Sequence, residues 1–107
     1  MLGESVMNIE KLIALTEKEQ IIWRNHILER MRQRGISISH VLNCIKTGEI
    51  IEKYENDYPY PSALILGKTT ENTFLHVVCA EGQNKIWMIT AYCPDIEEWF
   101  EDFKTRR

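Results

Sequence analysis

Three consecutive stretches decide the fold: SALILGK (Ser62 to Lys68), TFLHVVCAE (Thr73 to Glu81) and KIWMITAY (Lys85 to Tyr92). Each is strand-sized and rich in β-branched and aromatic residues. Their connections, Thr69 to Asn72 and Gly82-Gln83-Asn84, are short and made of turn formers. Strands joined so tightly run antiparallel, because parallel neighbours need a longer crossover. A fourth strand-like run, Glu49 to Tyr54, precedes them across the longest loop, Glu55 to Pro61. The expected sheet is a four-stranded antiparallel meander.

Upstream the period changes. Between Glu17 and Arg34 there is no Gly or Pro, and Ile21, Ile22, Ile27, Leu28 and Met31 recur at helical spacing. Thr16 and Glu19 form a candidate capping box for this helix, and Gly35 ends it. Ser37 is a cap for a second helix through Val41, Leu42 and Ile45, closed by Gly48 after Lys46. Residues 1–16 read as an N-terminal arm or a short helix around Leu12, Ile13 and Leu15. Downstream, Pro94 stops the last strand, and Asp95 caps an expected final helix with Trp99, Phe100 and Phe103 on its inner side. The reading is α+β: one domain over residues 17–107, with two N-terminal helices packed on the sheet and a C-terminal helix.

A chain of 107 residues, 44% hydrophobic and 27% charged, has the composition of one globular domain. No apolar run approaches the roughly 18 residues of a membrane span. The start, MLGESVMNIEKL, lacks a basic region and an apolar signal core, so a cytoplasmic protein without membrane contact is expected. Cys44, Cys79 and Cys93 form an odd set without C-x-x-C, each in a setting suited to a buried thiol, so neither a disulfide nor zinc is expected. No phosphate-cradling glycine loop, H-E-x-x-H or G-x-S-x-G occurs, which argues against cofactor and metal enzymes of those types.

The net charge of −3 is unevenly spread. Residues 23 to 46 carry five basic groups and one acidic group, while residues 47 to 107 carry six and eleven. That is how a local anion site would be built on an otherwise acidic domain, and equally how a solvated helix face reads. Within that segment His26, Arg30 and Arg34 are spaced by four and form one stripe beside Trp23 and Ile27. Such a stripe can hold a phosphate and place an imidazole beside it, or lay its stems over an apolar rim as solvated residues. His76, flanked by Leu75 and Val77, is either a satisfied core histidine or the floor of a cleft. Thr90 and Tyr92 share a face of the last strand, and only the tyrosine can exchange a proton. The Tyr58-Pro59-Tyr60-Pro61 loop can stack a base or cap the core.

The run from His26 through Arg30, Arg34 and Gly35 to Ser37, then Gly48-Glu49-Ile50-Ile51-Glu52, Tyr58-Pro59-Tyr60-Pro61-Ser62, Leu66-Gly67, His76-Val77-Val78 and Thr90-Ala91-Tyr92 with Pro94-Asp95, resembles the bacterial domain-of-unknown-function family numbered four-two-five-eight. The resemblance covers about Glu19 to Arg106. It implies kinship with the RelE, barnase and colicin group of small ribonucleases, toxin activity in a toxin–antitoxin pair, and a cognate antitoxin of zinc-finger type. Its signature residues fall on His26, Arg30, Arg34, His76 and Tyr92. On that basis RNA cleavage without metal or cofactor is expected, with His26, His76 and Tyr92 catalytic, Arg30 and Arg34 on the phosphate, and Tyr58, Tyr60 and Thr90 binding substrate. The alternative is a non-catalytic module binding a protein or nucleic acid. The acidic net charge departs from that of messenger-RNA-cleaving toxins, which are basic, and speaks against ribosome docking.

Overall fold

The computed structural model describes residues 7–107, in which three helices pack against a five-stranded mixed sheet. The elements are α1 (Ile9–Glu17), β1 (Ile21–Trp23), α2 (Asn25–Arg34), α3 (Ile38–Thr47), β2 (Glu49–Tyr54), β3 (Ser62–Lys68), β4 (Phe74–Gly82) and β5 (Lys85–Tyr92). The sheet order is β1-β5-β4-β3-β2. The antiparallel meander β2 to β5 is present as expected, and β1 adds a fifth strand parallel to β5.

That extra strand corrects the single helix expected from Glu17 to Arg34. Asn8 caps α1 through its side chain, which accepts from Lys11 N at 2.8 Å, and α1 ends at Glu17. Glu19 then turns left-handed (φ 59°), and Ile21, Ile22 and Trp23 lie opposite Ile86, Trp87 and Met88. Two β-branched residues and a tryptophan favour a strand over a second helical turn, and pairing with β5 decides it. Thr16 caps nothing downstream; its hydroxyl donates back to Ile13 O within α1. Of residues 1–16, read as an arm or a short helix, those before Met7 lie outside the described residues, and the rest hold most of α1.

At Gly35 the backbone is left-handed (φ 70°), and Ile36 N reaches back to Met31 O, closing α2. Ser37 caps α3 in a reciprocal box in which His40 N donates to Ser37 Oγ and Ser37 N to His40 Nδ1. All three helices lie on one sheet face. Ile27, Met31, Val41, Cys44 and Ile45 interlock there with Ala63, Ile65, Val77, Cys79, Ile86, Met88 and Ala91. Burial raises the thiols of Cys44 and Cys79 to about 12, so both are inert. Cys93, expected to be buried, is exposed where the chain leaves β5.

Residues 94–107 overturn the expected C-terminal helix. They form an irregular strap across the other sheet face, closed on itself by a bridge between Trp99 and Arg106. Asp95 and Asp102 cap turns, accepting from Glu97 N and from Lys104 N and Thr105 N respectively. The helical spacing of Trp99 and Phe103 loses to tertiary contacts, since both rings are drawn onto β4 residues: Trp99 on His76 and Phe103 on Phe74. No helix among the described residues is long and apolar enough to cross a membrane.

Candidate functional site

Ile89 is inserted into β5 as a bulge, because Met88 pairs with Cys79 while Thr90 pairs with Val78. The bulge turns Met88 and Ala91 to the helices and Thr90 and Tyr92 to the outer face. Nothing in the sequence marks this change of phase. Since β1 covers β5 only from Ile86 to Met88, the border beyond is open, and α2 runs beside it.

The stripe on α2 follows that border. Arg34 Nη1 donates to Ala91 O at 2.8 Å and to Thr90 Oγ1 at 3.4 Å. Arg30 is exposed, and neither it nor Arg24 nor Arg34 forms a salt bridge among the described residues. His26, also exposed, lines a cavity of about 550 Å³ with Arg24, Asp57, Tyr58, Tyr60 and Trp87. Tyr58 is 94% exposed. Tyr60 stacks obliquely on Trp87 at 5.5 Å and covers Gly82, and the Arg24 guanidinium lies 5.5 Å from the Trp87 ring centre. In the Tyr-Pro loop, Tyr60 caps the sheet and Tyr58 is turned to solvent.

His76 and Tyr92 are brought together elsewhere. His76 is fully buried beneath the strap, edge-on to Trp99 at 4.6 Å. Its Nε2 is 2.8 Å from Phe103 O, and a carbonyl only accepts, so Nε2 carries the hydrogen. Nδ1 then accepts from the Tyr92 hydroxyl at 3.2 Å. Glu52 sits beside this pair, accepting from Tyr54 and from Arg106 Nε and Nη2 at 2.9 and 3.1 Å. Burial pushes the His76 pKa below its usual value, with the Phe103 carbonyl and Glu52 opposing. Burial likewise raises that of Tyr92, and Arg106 holds Glu52 low.

The sequence-expected residues thus fall into two places. His26, Tyr58 and Tyr60 share the cavity, and Arg34 joins Thr90 at the border next to it. His76 and Tyr92 lie under the strap and do not line that cavity. Arg24, Asp57 and Trp87 are added by the structure. Arg24 stands just before α2, outside the four-residue stripe, and Trp87 joins through strand pairing that no local pattern reveals.

The buried imidazole makes stability depend on pH. In the unfolded chain His76 regains a pKa near 6.5 and takes a proton that the folded state refuses. Stability from neutral His76 is therefore complete above about pH 7 and lost as pH falls, by at most about 1.4 kcal/mol per unit. Glu52 loses its contribution only as pH drops below its ordinary 4.5. Thermal unfolding is expected to come several degrees lower at pH 5.5 than at pH 7.5, and His76→Gln should flatten that difference. An equal pH response in the variant would rule His76 out as its source.

No curated protein and no solved structure matched the chain. The profile of a family described as "Domain of unknown function (DUF4258)" matches residues 23–93, from the end of β1 to the last residue before the strap. The match takes in the whole stripe, the cavity loop and both strands carrying His76 and Tyr92, and spans most of the chain. The protein is a member of the DUF4258 family.

Proposed function

We propose that the chain is a toxin-type endoribonuclease that binds single-stranded RNA along the border of α2 and β5 and cleaves it without a metal. The observation that carries this reading is the cavity shared by His26, Arg24 and two tyrosines, adjoining the border where Arg34 meets Thr90. A base stacks against the exposed Tyr58, since aromatic rings accept any base face. Arg24, Arg30 and Arg34 take successive phosphates, their guanidinium groups being free of carboxylate partners among the described residues. His26 removes the 2′-hydroxyl proton, the 2′ oxygen attacks the adjacent phosphorus, and the bond to the 5′ oxygen breaks as that oxygen takes a proton from water. The products are a 2′,3′-cyclic phosphate and a 5′-hydroxyl end. The resemblance to the RelE, barnase and colicin group supports this chemistry, and it adds a zinc-finger antitoxin as the partner that would mask the stripe.

A non-catalytic RNA-binding module is the second reading. It is favoured by the burial of His76, which leaves His26 as the one imidazole lining the cavity. The two separate in one assay with an end-labelled, unstructured RNA oligonucleotide and EDTA. The endoribonuclease shortens the oligonucleotide, whereas a module binds it intact. On either reading, replacing Arg24, Arg30 and Arg34 by Ala weakens binding roughly tenfold or more. It also lowers the slope of log affinity against log salt by about 2, near 0.7 per phosphate contact on a single strand. An unchanged slope would remove the arginines from the interface.

A further inference from the structure

The strap over His76 has the build of a part made to move. Trp99 is its one buried hydrophobic side chain, while Ile96 and Phe100 are about half exposed. Its hydrogen bonds are largely internal: Phe100 N donates to Thr105 O, Arg107 N to Glu98 O, and Arg107 Nε to Trp99 O. Phe103, whose carbonyl receives the His76 hydrogen, sits at φ 56°, a conformation that L residues with a large side chain avoid. Attachment to β2 rests on two ion pairs with exposed cations, Arg106 with Glu52 and Lys104 with Glu49. Opening breaks these surface pairs, uncovers Trp99 and gives up the bond from His76 to Phe103 O, so the open form is a minor state. The family match stops at Cys93, so the strap follows the matched residues while His76 and Tyr92 lie among them.

What it covers adjoins the RNA border. Thr90 and Tyr92 share the outer face, Tyr92 is bonded to His76, and Thr90 is already bonded to Arg34. We propose that residues 94–107 are a displaceable cover, and that lifting them joins His76 and Tyr92 to the Arg34 end of the groove as its second proton-transfer group. This rests on the endoribonuclease reading. His26 and His76 then flank the phosphate that Arg30 and Arg34 hold, one taking the 2′-hydroxyl proton and the other supplying a proton to the leaving 5′ oxygen. In the covered form neither nitrogen of His76 is available. A minor open state of about 0.1–10% would set the basal rate, so loosening the strap raises activity.

The test uses the full chain carrying Lys104→Ala and Arg106→Gln, which cuts both ion pairs and leaves Trp99 in place. Arg106→Lys serves as a milder second variant, and far-UV circular dichroism checks the fold. Diethyl pyrocarbonate labelling, read by peptide mass spectrometry, reports access to His76 against exposed His26. The expected result is a rise of roughly tenfold in His76 labelling with a parallel rise in RNA cleavage, and His76→Gln in the loosened chain cancels the gain in cleavage. Unchanged labelling in both folded variants overturns the cover. Increased labelling with flat cleavage, where the wild type cleaves, overturns its coupling to the reaction. Increased labelling with no cleavage by any form upholds the cover and fells the endoribonuclease reading instead.

Discussion

Gly67→Ala is expected to lower the unfolding free energy by about 2–4 kcal/mol, a large share of the 5–15 kcal/mol typical of a domain. The reason is the seat of α3 on β3. A Cβ at Gly67 would fall against the Cys44 carbonyl group, 2.7 Å from its carbon and 2.9 Å from Cys44 Cα. These are backbone atoms of a helix whose next turn contacts the sheet at Gly48, so no rotamer change relieves the overlap. Cys44 is itself tied down, its thiol donating to Leu75 O at 3.3 Å. Either α3 lifts from the sheet or β3 bows, and both open the core around Ile45 and Ile65. Thermal unfolding should fall by roughly 8–30 °C at 4–8 °C per kcal/mol. A shift within about 2 °C would mean that α3 floats on the sheet.

His26→Ala is expected to slow RNA cleavage by about 10²–10⁴-fold while leaving RNA affinity within a few-fold of the wild type. The side chain is exposed at the start of α2 and supports no core contact, so the fold should survive the change. The arginines and tyrosines proposed to hold the strand are untouched. Single-turnover cleavage rates and fluorescence anisotropy measured on the same oligonucleotide separate the two quantities. Equal losses in rate and affinity would make His26 a binding residue only, and an unchanged rate would remove it from the reaction.

The meander was legible because its strands are contiguous apolar runs punctuated by turn residues. The spans of β2, β3 and β5 match those read from sequence, and β4 is displaced by one residue. What was not legible depends on contacts distant in the chain. Ile21 to Trp23 carry no breaker, and only pairing with β5, some 65 positions on, makes them a strand. Pro94, Asp95 and the spacing of Trp99 and Phe103 are true helix signals. They are overridden because Trp99 gains the His76 ring and Arg106 gains Glu52. The site divides in the same way. The α2 stripe is a local pattern and was read directly, whereas the separation of His26 from His76 depends on where the last fourteen residues lie.

The contact between Arg34 and Ala91 O also protects the sheet from itself. A bare strand border is a template for another chain, and this protein has two borders to blunt. At one, β2 carries an irregular register near Ile51 and the charges Glu49, Glu52 and Lys53. At the other, three-residue β1 ends at Trp23, opposite Met88 of β5, and Arg34 occupies a carbonyl that a neighbouring strand would otherwise seize. The same guanidinium thus blocks strand pairing at this border and is the one proposed to hold phosphate. Loss of solubility and loss of RNA binding would therefore travel together at this position.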